Sequence, residues 1–289
     1  MNDDEIARRK TLTFAQAEGE EPLPSQLKRT EVSRKLRAIL WSYIHTELGR
    51  TSVRNTYAYV GGNWKNALMH AHVHLFHLPI DEFDARFSRA TEEVKSVIMR
   101  GNWLTFYGWI DHILRLKPTP QFSHDIQRIL TSCLSHYRVV DGAILCPLGS
   151  DEEAATVERA FVDLKVAPGL TGGREHLRLA SQALTAGNFA DSVRESMHAV
   201  ESVVRMLEPH ADFSKALANL ETKTNIHGAL KKGFLAIYGF TSDEQGIRHA
   251  LLDKGAPDVD EADALFMIGA CSAFISYLLH KARVTGLFD

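Results

Sequence analysis

The fold is decided by the stretch REHLRLASQALTAGNFADSVRESMHAVESVVRML, residues 174–207. It holds two helical patterns separated only by residues 186–188, where Gly187 can end the first helix. The second pattern carries one apolar stripe at helical spacing, made of Phe189, Val193, Met197, Val200, Val204 and Leu207. Two helices joined this tightly lie antiparallel. The stretch therefore predicts one half of a helical bundle.

The residues that follow predict the other half. A third helical region covers residues 214–238 and is interrupted near Gly228, and a fourth covers residues 261–283 and is apolar on almost every face. We expect these helices to form an up-and-down four-helix bundle over residues 172–289. A single tetratricopeptide-like repeat at 174–207 is the alternative, but no second copy follows at a period of about 34 residues.

The upstream part is predicted to be a helical domain over residues 25–164, preceded by a polar arm over residues 1–24. Its helical patterns cover residues 27–44, 63–77, 83–99, 103–116, 123–137 and 151–164. One segment departs from the helical period. In YRVVDGAILCP, residues 137–147, two short apolar runs flank Asp141-Gly142, a dipeptide that favours a two-residue hairpin turn. The predicted fold class is all-α, with one small β-hairpin near residues 137–146 and a linker, KVAPGLTGG, at residues 165–173.

Composition limits the functional classes. The chain has 289 residues, 45% of them hydrophobic and 24% charged, which is typical of a globular protein. Its net charge of -3 argues against a nonspecific nucleic-acid binder, so any RNA contact must be local. We find no signal-peptide pattern and expect no membrane span, which predicts a cytoplasmic protein. The 3 cysteines are scattered and apolar-flanked, and we expect buried thiols rather than disulfides or a metal knuckle.

The connection between the third and fourth bundle helices, residues 239–260, is long for a simple loop. It contains the adjacent pair Arg248 and His249. A histidine can move a proton to or from a ribose oxygen, and a guanidinium can stabilise a phosphate in its transition state. The pair therefore suits RNA cleavage without a metal. The alternative is a structural role, in which Arg248 pairs with neighbouring acids and His249 packs on the second helix.

Several blocks of the chain resemble one known family. In the C-terminal half they are ESMHAVESVVRML (195–207), GALKKGFLAIYGFTSDEQGIRHAL (228–251) and EADALFMIGACSAFISYL (261–278). These blocks resemble the HEPN domain of AbiJ-type abortive-infection proteins of bacteria. The upstream blocks are LRAILWSYI (36–44), Trp64, WIDHIL (109–114) and HYRVVDGAILCPLGSDEEAATVERA (136–160), and they are similar to the fourth type of AbiJ N-terminal domain.

The resemblance implies a HEPN effector in anti-phage defence that acts as a homodimer, with the N-terminal domain or a regulatory protein partner controlling it. It implies a toxin-like endoribonuclease that needs no cofactor and uses Arg248 and His249 as catalytic residues, with Lys254 as an RNA-binding residue. HEPN motifs separate the arginine and the histidine by a short spacer, whereas Arg248 and His249 are consecutive. On one helix their side chains would diverge by about 100°. A symmetric dimer could pair each arginine with the partner's histidine.

The resemblance also implies an assisting acid on the second bundle helix, which points to Glu195 or Glu201 as a catalytic residue. Ser196 and His198 lie nearby in the sequence and are candidate binding residues on the same face. The alternative is an ordinary solvated helix face. A second arginine–histidine combination, Arg205 and His210, has the family's spacing but lies at the end of the second helix, and we take it as coincidence.

The N-terminal half contains one local metal signal. In MHAHVHLFHL, residues 69–78, His70, His74 and His77 would share one face of a helix, and histidines four apart can chelate zinc or nickel. No acidic residue lies within the cluster, so an interfacial or partly buried helix is the main alternative.

Three functions therefore remain open from the sequence. The first is a metal-independent ribonuclease effector, and the second is a catalytically inactive HEPN module that binds RNA, nucleotide or a partner protein. The third is a structural oligomerisation protein.

Overall fold

The computed structural model describes residues 12–54, 58–209, 212–243 and 259–287. Helices make up 70% of the structure and strands 4%, which confirms the expected all-α class with a small antiparallel hairpin. The described residues form two hydrophobic cores, one from the N-terminal helices and one from the C-terminal helices.

The N-terminal core is formed by helices in the predicted order, of which α5 begins and ends at the predicted positions. The helices are α1 (Phe14–Ala17), α2 (Arg34–Arg50), α3 (Gly62–His74), a 3-10 turn (Ile80–Glu82), α4 (Phe87–Arg100), α5 (Trp103–Leu116) and α6 (Phe122–Ser132). Trp64 and Trp109 are fully buried in this core. Helix α2 begins later than the periodicity predicted, because the Ser33 hydroxyl accepts a hydrogen bond from the Leu36 N–H and caps the helix there.

The predicted hairpin pairs β3 (Arg138–Val140) with β4 (Ile144–Cys146). Asp141 and Gly142 both have positive φ, as the dipeptide predicted, but three residues rather than two connect the paired strands. Arg174 and Glu158 hold the turn: the guanidinium donates to the Asp141 carboxylate, and the Glu158 carboxylate accepts from the Asp141 N–H. A second two-stranded sheet, β1 (Val53–Arg54) with β2 (Ala58–Tyr59), was not predicted.

The C-terminal core is formed by six helices in the described part of the chain. They are α7 (Asp151–Val166), α8 (Thr171–Ala186), α9 (Phe189–Leu207), α10 (Phe213–Thr224), α11 (Gly228–Asp243) and α12 (Glu261–Val284). Helix α8 packs along α9, α9 packs along α12, and α10 and α11 form a helical hairpin in which Phe213 stacks on Tyr238. The predicted interruption of the third helical region is confirmed, because Asn225 adopts a left-handed conformation that ends α10, and α11 begins at Gly228.

Helix α7 packs against α12 and α8, so its buried side chains belong to the C-terminal core, although the sequence suggested that residues 151–164 belong with the N-terminal helices. Arg29, before α2, also contacts the C-terminal core. Its guanidinium pairs with Glu261 at the start of α12, donates to the Leu184 and Thr185 carbonyls at 3.1 and 3.0 Å, and lies over the Phe189 ring.

Helix α12 is the one helix among the described residues whose length and apolar composition would suffice to cross a membrane. Half of its apolar window is buried against the other helices, as expected for a core helix of a globular protein. The prediction that the cysteines are buried thiols is confirmed. They are free and buried at Cys133, Cys146 and, on α12, Cys271. Burial raises the pKa of the Cys271 thiol to about 12.

We predict that Gly187→Ala destabilises the protein. Gly187 ends α8 with φ 80°, a left-handed conformation that costs a residue with a Cβ about 1 kcal/mol. The matched control is Gly233→Ala, in the interior of α11 with no atom within 4 Å of a new Cβ, which should stabilise the protein by up to about 1 kcal/mol. Urea unfolding of the full chain measures both changes. Equal shifts in the two variants would contradict the prediction.

Candidate functional site

A cluster of His176, Glu195 and His198 lies between α8 and α9. The Nδ1 atoms of His176 and His198 lie 2.7 and 3.9 Å from Glu195 Oε2. The two imidazole rings meet edge to face at 67°, with centroids 5.2 Å apart. The side chains of His176, Glu195 and His198 are 37%, 14% and 29% exposed, so solvent reaches a carboxylate that is mostly enclosed by protein.

The helical hairpin brings these three residues together. His176 and His198 lie the same number of residues before and after Gly187, so the antiparallel packing of α8 on α9 sets them opposite each other. Glu195 and His198 are three residues apart on α9 and therefore share a face. Arg194 approaches the other carboxylate oxygen, with its Nε 3.4 Å from Glu195 Oε1, and also pairs with Asp191 at 2.8 Å.

This arrangement provides groups for proton transfer and for metal binding. An imidazole nitrogen 2.7 Å from a carboxylate oxygen can donate a hydrogen bond to it, which orients the ring. The nitrogen and oxygen atoms of the cluster all lie within 4.8 Å of one another, so they could also hold one metal ion. Among the described residues, no other group of three such side chains meets this criterion.

Of the predicted site residues, the structure brings Glu195 and His198 together and adds His176, which the sequence reasoning missed. The missed signal was the position of His176 relative to Gly187, since a symmetric helical hairpin places equidistant residues side by side. Ser196 lies on the buried side of α9, and its hydroxyl donates to the Ser192 carbonyl at 2.7 Å. Ser196 is therefore separated from the partly exposed cluster of His176, Glu195 and His198. Glu201 is also buried, at 8% exposure.

The remaining predicted catalytic and RNA-binding residues, Arg248, His249 and Lys254, lie outside the described residues. The same holds for His210, one half of the second arginine–histidine combination.

The histidines of α3 are arranged differently from the prediction. Helix α3 ends at His74, so His77 lies beyond it, with φ 56°, and does not continue the helical face of His70 and His74. His112 on α5 takes its place: its Nε2 lies 3.0 Å from His70 Nδ1, and the His70 ring also packs on the His74 ring with centroids 4.2 Å apart. The fourth histidine, His72, faces the other way, and its Nε2 lies 3.0 Å from the Pro79 carbonyl.

Comparisons with known proteins do not identify the chain. No protein-family model matches it, and neither the curated proteins nor the solved structures contain a match. The HEPN and AbiJ resemblance therefore stays a prediction from the quoted blocks.

We predict that His70→Ala raises the pKa of His112. Burial first, then the charges of His70, Arg115 and His74, hold the pKa of His112 below its usual range. Removing His70 eliminates one like charge and opens the His112 ring to water. Both changes favour the protonated form of His112. NMR titration of the imidazole signals measures the shift, with exposed His124→Ala as the control. A pKa of His112 that falls or stays constant in His70→Ala would contradict the prediction.

Proposed function

We propose that this protein is a HEPN-type effector of bacterial anti-phage defence that cleaves RNA as a cytoplasmic homodimer without a metal. The observation that carries the proposal is Glu195, a mostly enclosed carboxylate beside two imidazoles, on the bundle helix to which the family resemblance assigns an assisting acid. The quoted sequence blocks, the helical C-terminal core and the long connection between α11 and α12 also support it.

The chemistry divides between two sets of residues. Arg248 is proposed to hold the scissile phosphate and stabilise its added negative charge, and His249 to transfer the proton of the ribose hydroxyl or of the leaving oxygen. Glu195 and Glu201 lie on the same helix, about 9 Å apart along its axis at 1.5 Å per residue. Glu195 is the more exposed of the two. It is proposed to assist by orienting the imidazoles of His176 and His198 and balancing their charge.

The outward side of α12 suits the proposed homodimer. It presents small or apolar residues at helical spacing: Ala262, Phe266, Gly269, Ala270, Ala273 and Tyr277. Phe266 is 61% exposed, and no charged residue occurs between Ala264 and His280. A second copy would meet the same uncharged face of α12, beside which Arg159 of α7 lines one groove with Ala273 and Tyr277, and the small side chains permit close approach of the two helices. The proposed partner of this face is therefore another copy of the chain.

We predict that His249→Ala abolishes RNA cleavage in the presence of a chelator. Loss of a proton-transferring side chain typically lowers a rate by about 100-fold or more. Labelled RNA incubated with the full chain and resolved on a denaturing gel measures the rate, and Glu195→Gln should lower it less than His249→Ala does. His124→Ala, which removes an exposed histidine of the N-terminal core, is the control and should retain wild-type activity.

Unchanged cleavage in His249→Ala would refute the catalytic assignment.

The adjacency of Arg248 and His249, which lacks the spacer of the family motif, favours one second candidate, a HEPN module that binds RNA without cutting it. Absence of cleavage by the wild-type dimer, together with measurable RNA binding, would select that candidate instead.

We predict that Ala273→Glu converts the homodimer into a monomer. The substitution places a carboxylate at the centre of the proposed interface, where the twofold axis brings it close to its own copy. Leu230→Glu, at a 47% exposed apolar position of α11, is the control and should leave the mass unchanged. Light scattering after gel filtration measures the mass. A wild-type monomer at micromolar concentration would contradict the proposed dimer.

A further inference from the structure

We propose that His176, Glu195 and His198 form a binding site for a divalent transition metal ion, Zn²⁺ or a close relative. The ligand atoms would be the Nδ1 atoms of the two histidines and Oε2 of Glu195. The site shares Glu195 with the proposed RNA chemistry, but its evidence is the geometry of the cluster and does not depend on Arg248 and His249.

The spacing of the three atoms fits one small ion. Zn²⁺ lies about 2.0–2.2 Å from nitrogen and oxygen ligands, so tetrahedral ligand atoms lie about 3.3 Å from one another. The two Nδ1 atoms lie 2.7 and 3.9 Å from Glu195 Oε2, on either side of that value. The candidate ligand atoms of the three side chains all lie within 4.8 Å of one another, so side-chain rotations can bring them towards the metal distance.

The environment of the carboxylate favours a metal ligand. Arg194 approaches Oε1 at 3.4 Å, whereas both imidazoles approach Oε2. One oxygen is therefore oriented by a cation, and the other is directed at the two nitrogens. Groups that orient a ligating carboxylate in this way are a regular feature of metal sites.

The ligand set selects the kind of metal. Two imidazoles and one carboxylate suit Zn²⁺, Ni²⁺, Cu²⁺ and Fe²⁺ better than Mg²⁺ or Ca²⁺, which prefer oxygen ligands. Three protein ligands leave a fourth tetrahedral position for water, and the partial exposure of His176 and His198 gives solvent access to it. The site therefore resembles an open metal site rather than a closed structural one.

A bound metal would also strengthen the bundle. His176 lies on α8 and the other two ligands lie on α9, so one ion connects the two helices. A ligand that binds only the folded protein stabilises it in proportion to its concentration. Metal binding requires the imidazole nitrogens in their unprotonated form, so acid should weaken it.

The experiment titrates the full chain, without an oligohistidine tag, with Zn²⁺ against a chromogenic chelator. The protein carries His70→Ala and His112→Ala, which remove the imidazole pair of the N-terminal core. Co²⁺ in place of Zn²⁺ reports geometry through its visible absorption. We expect one site per chain, a tetrahedral Co²⁺ spectrum, and an affinity lowered by about 10-fold to 100-fold or more in Glu195→Gln and in His198→Ala.

His176→Gln, at the most exposed position of the cluster, is the variant least expected to disturb folding, and circular dichroism checks each variant. His280→Ala removes an exposed histidine of the same core away from the cluster and should bind Zn²⁺ like the parent protein. Equal affinity in His176→Gln and in His280→Ala would overturn the proposal, as would loss of all binding in the His70→Ala and His112→Ala background. Because the readout is metal binding, its failure is distinct from a failure to cleave RNA.

Discussion

The close antiparallel packing of α8 on α9 is the constraint on which the rest of the C-terminal core depends. Gly187 turns the chain within three residues, and Gly172 and Gly173 let the start of α8 approach α9 closely. A Cβ on Gly173 would lie 3.2 Å from a Leu164 methyl group and 3.4 Å from the Ala199 carbonyl oxygen. This packing buries the apolar stripe of α9, and that stripe provides the surface that α12 covers.

The same packing explains why a polar cluster can form in an otherwise apolar interface. Glu195 and His198 lie at the edge of the helix pair, where side chains leave the core but remain mostly covered. A carboxylate in this position is costly unless hydrogen-bond donors approach it, and His176 and Arg194 provide them. An enclosed anion beside two imidazoles can exchange protons or hold a metal, and those two uses compete for the same nitrogen atoms.

The two cores are connected by contacts that are far apart in sequence. The β3–β4 hairpin contributes side chains to both, with Leu145 in the N-terminal core and Cys146 in the C-terminal core. Arg29 links the N-terminal segment to the ends of α8 and α12 through an ion pair and two carbonyl hydrogen bonds. These contacts connect the N-terminal segment directly to the start of α12.

The sequence alone determined most helices and the positions of the Gly187 and Asp141-Gly142 turns, because apolar periodicity, N-caps and turn residues act over only a few residues. It also indicated that Glu195 and His198 share a helix face. The equal distances of His176 and His198 from Gly187 could have placed His176 beside them. The sequence could not replace His77 by His112, because that contact depends on two helices that are distant in sequence and on where α3 ends. Nor could it show that α7 packs in the C-terminal core, since a buried apolar stripe does not specify which neighbour covers it. Tertiary packing decided those points, because only the three-dimensional arrangement of the helices fixes which side chains meet.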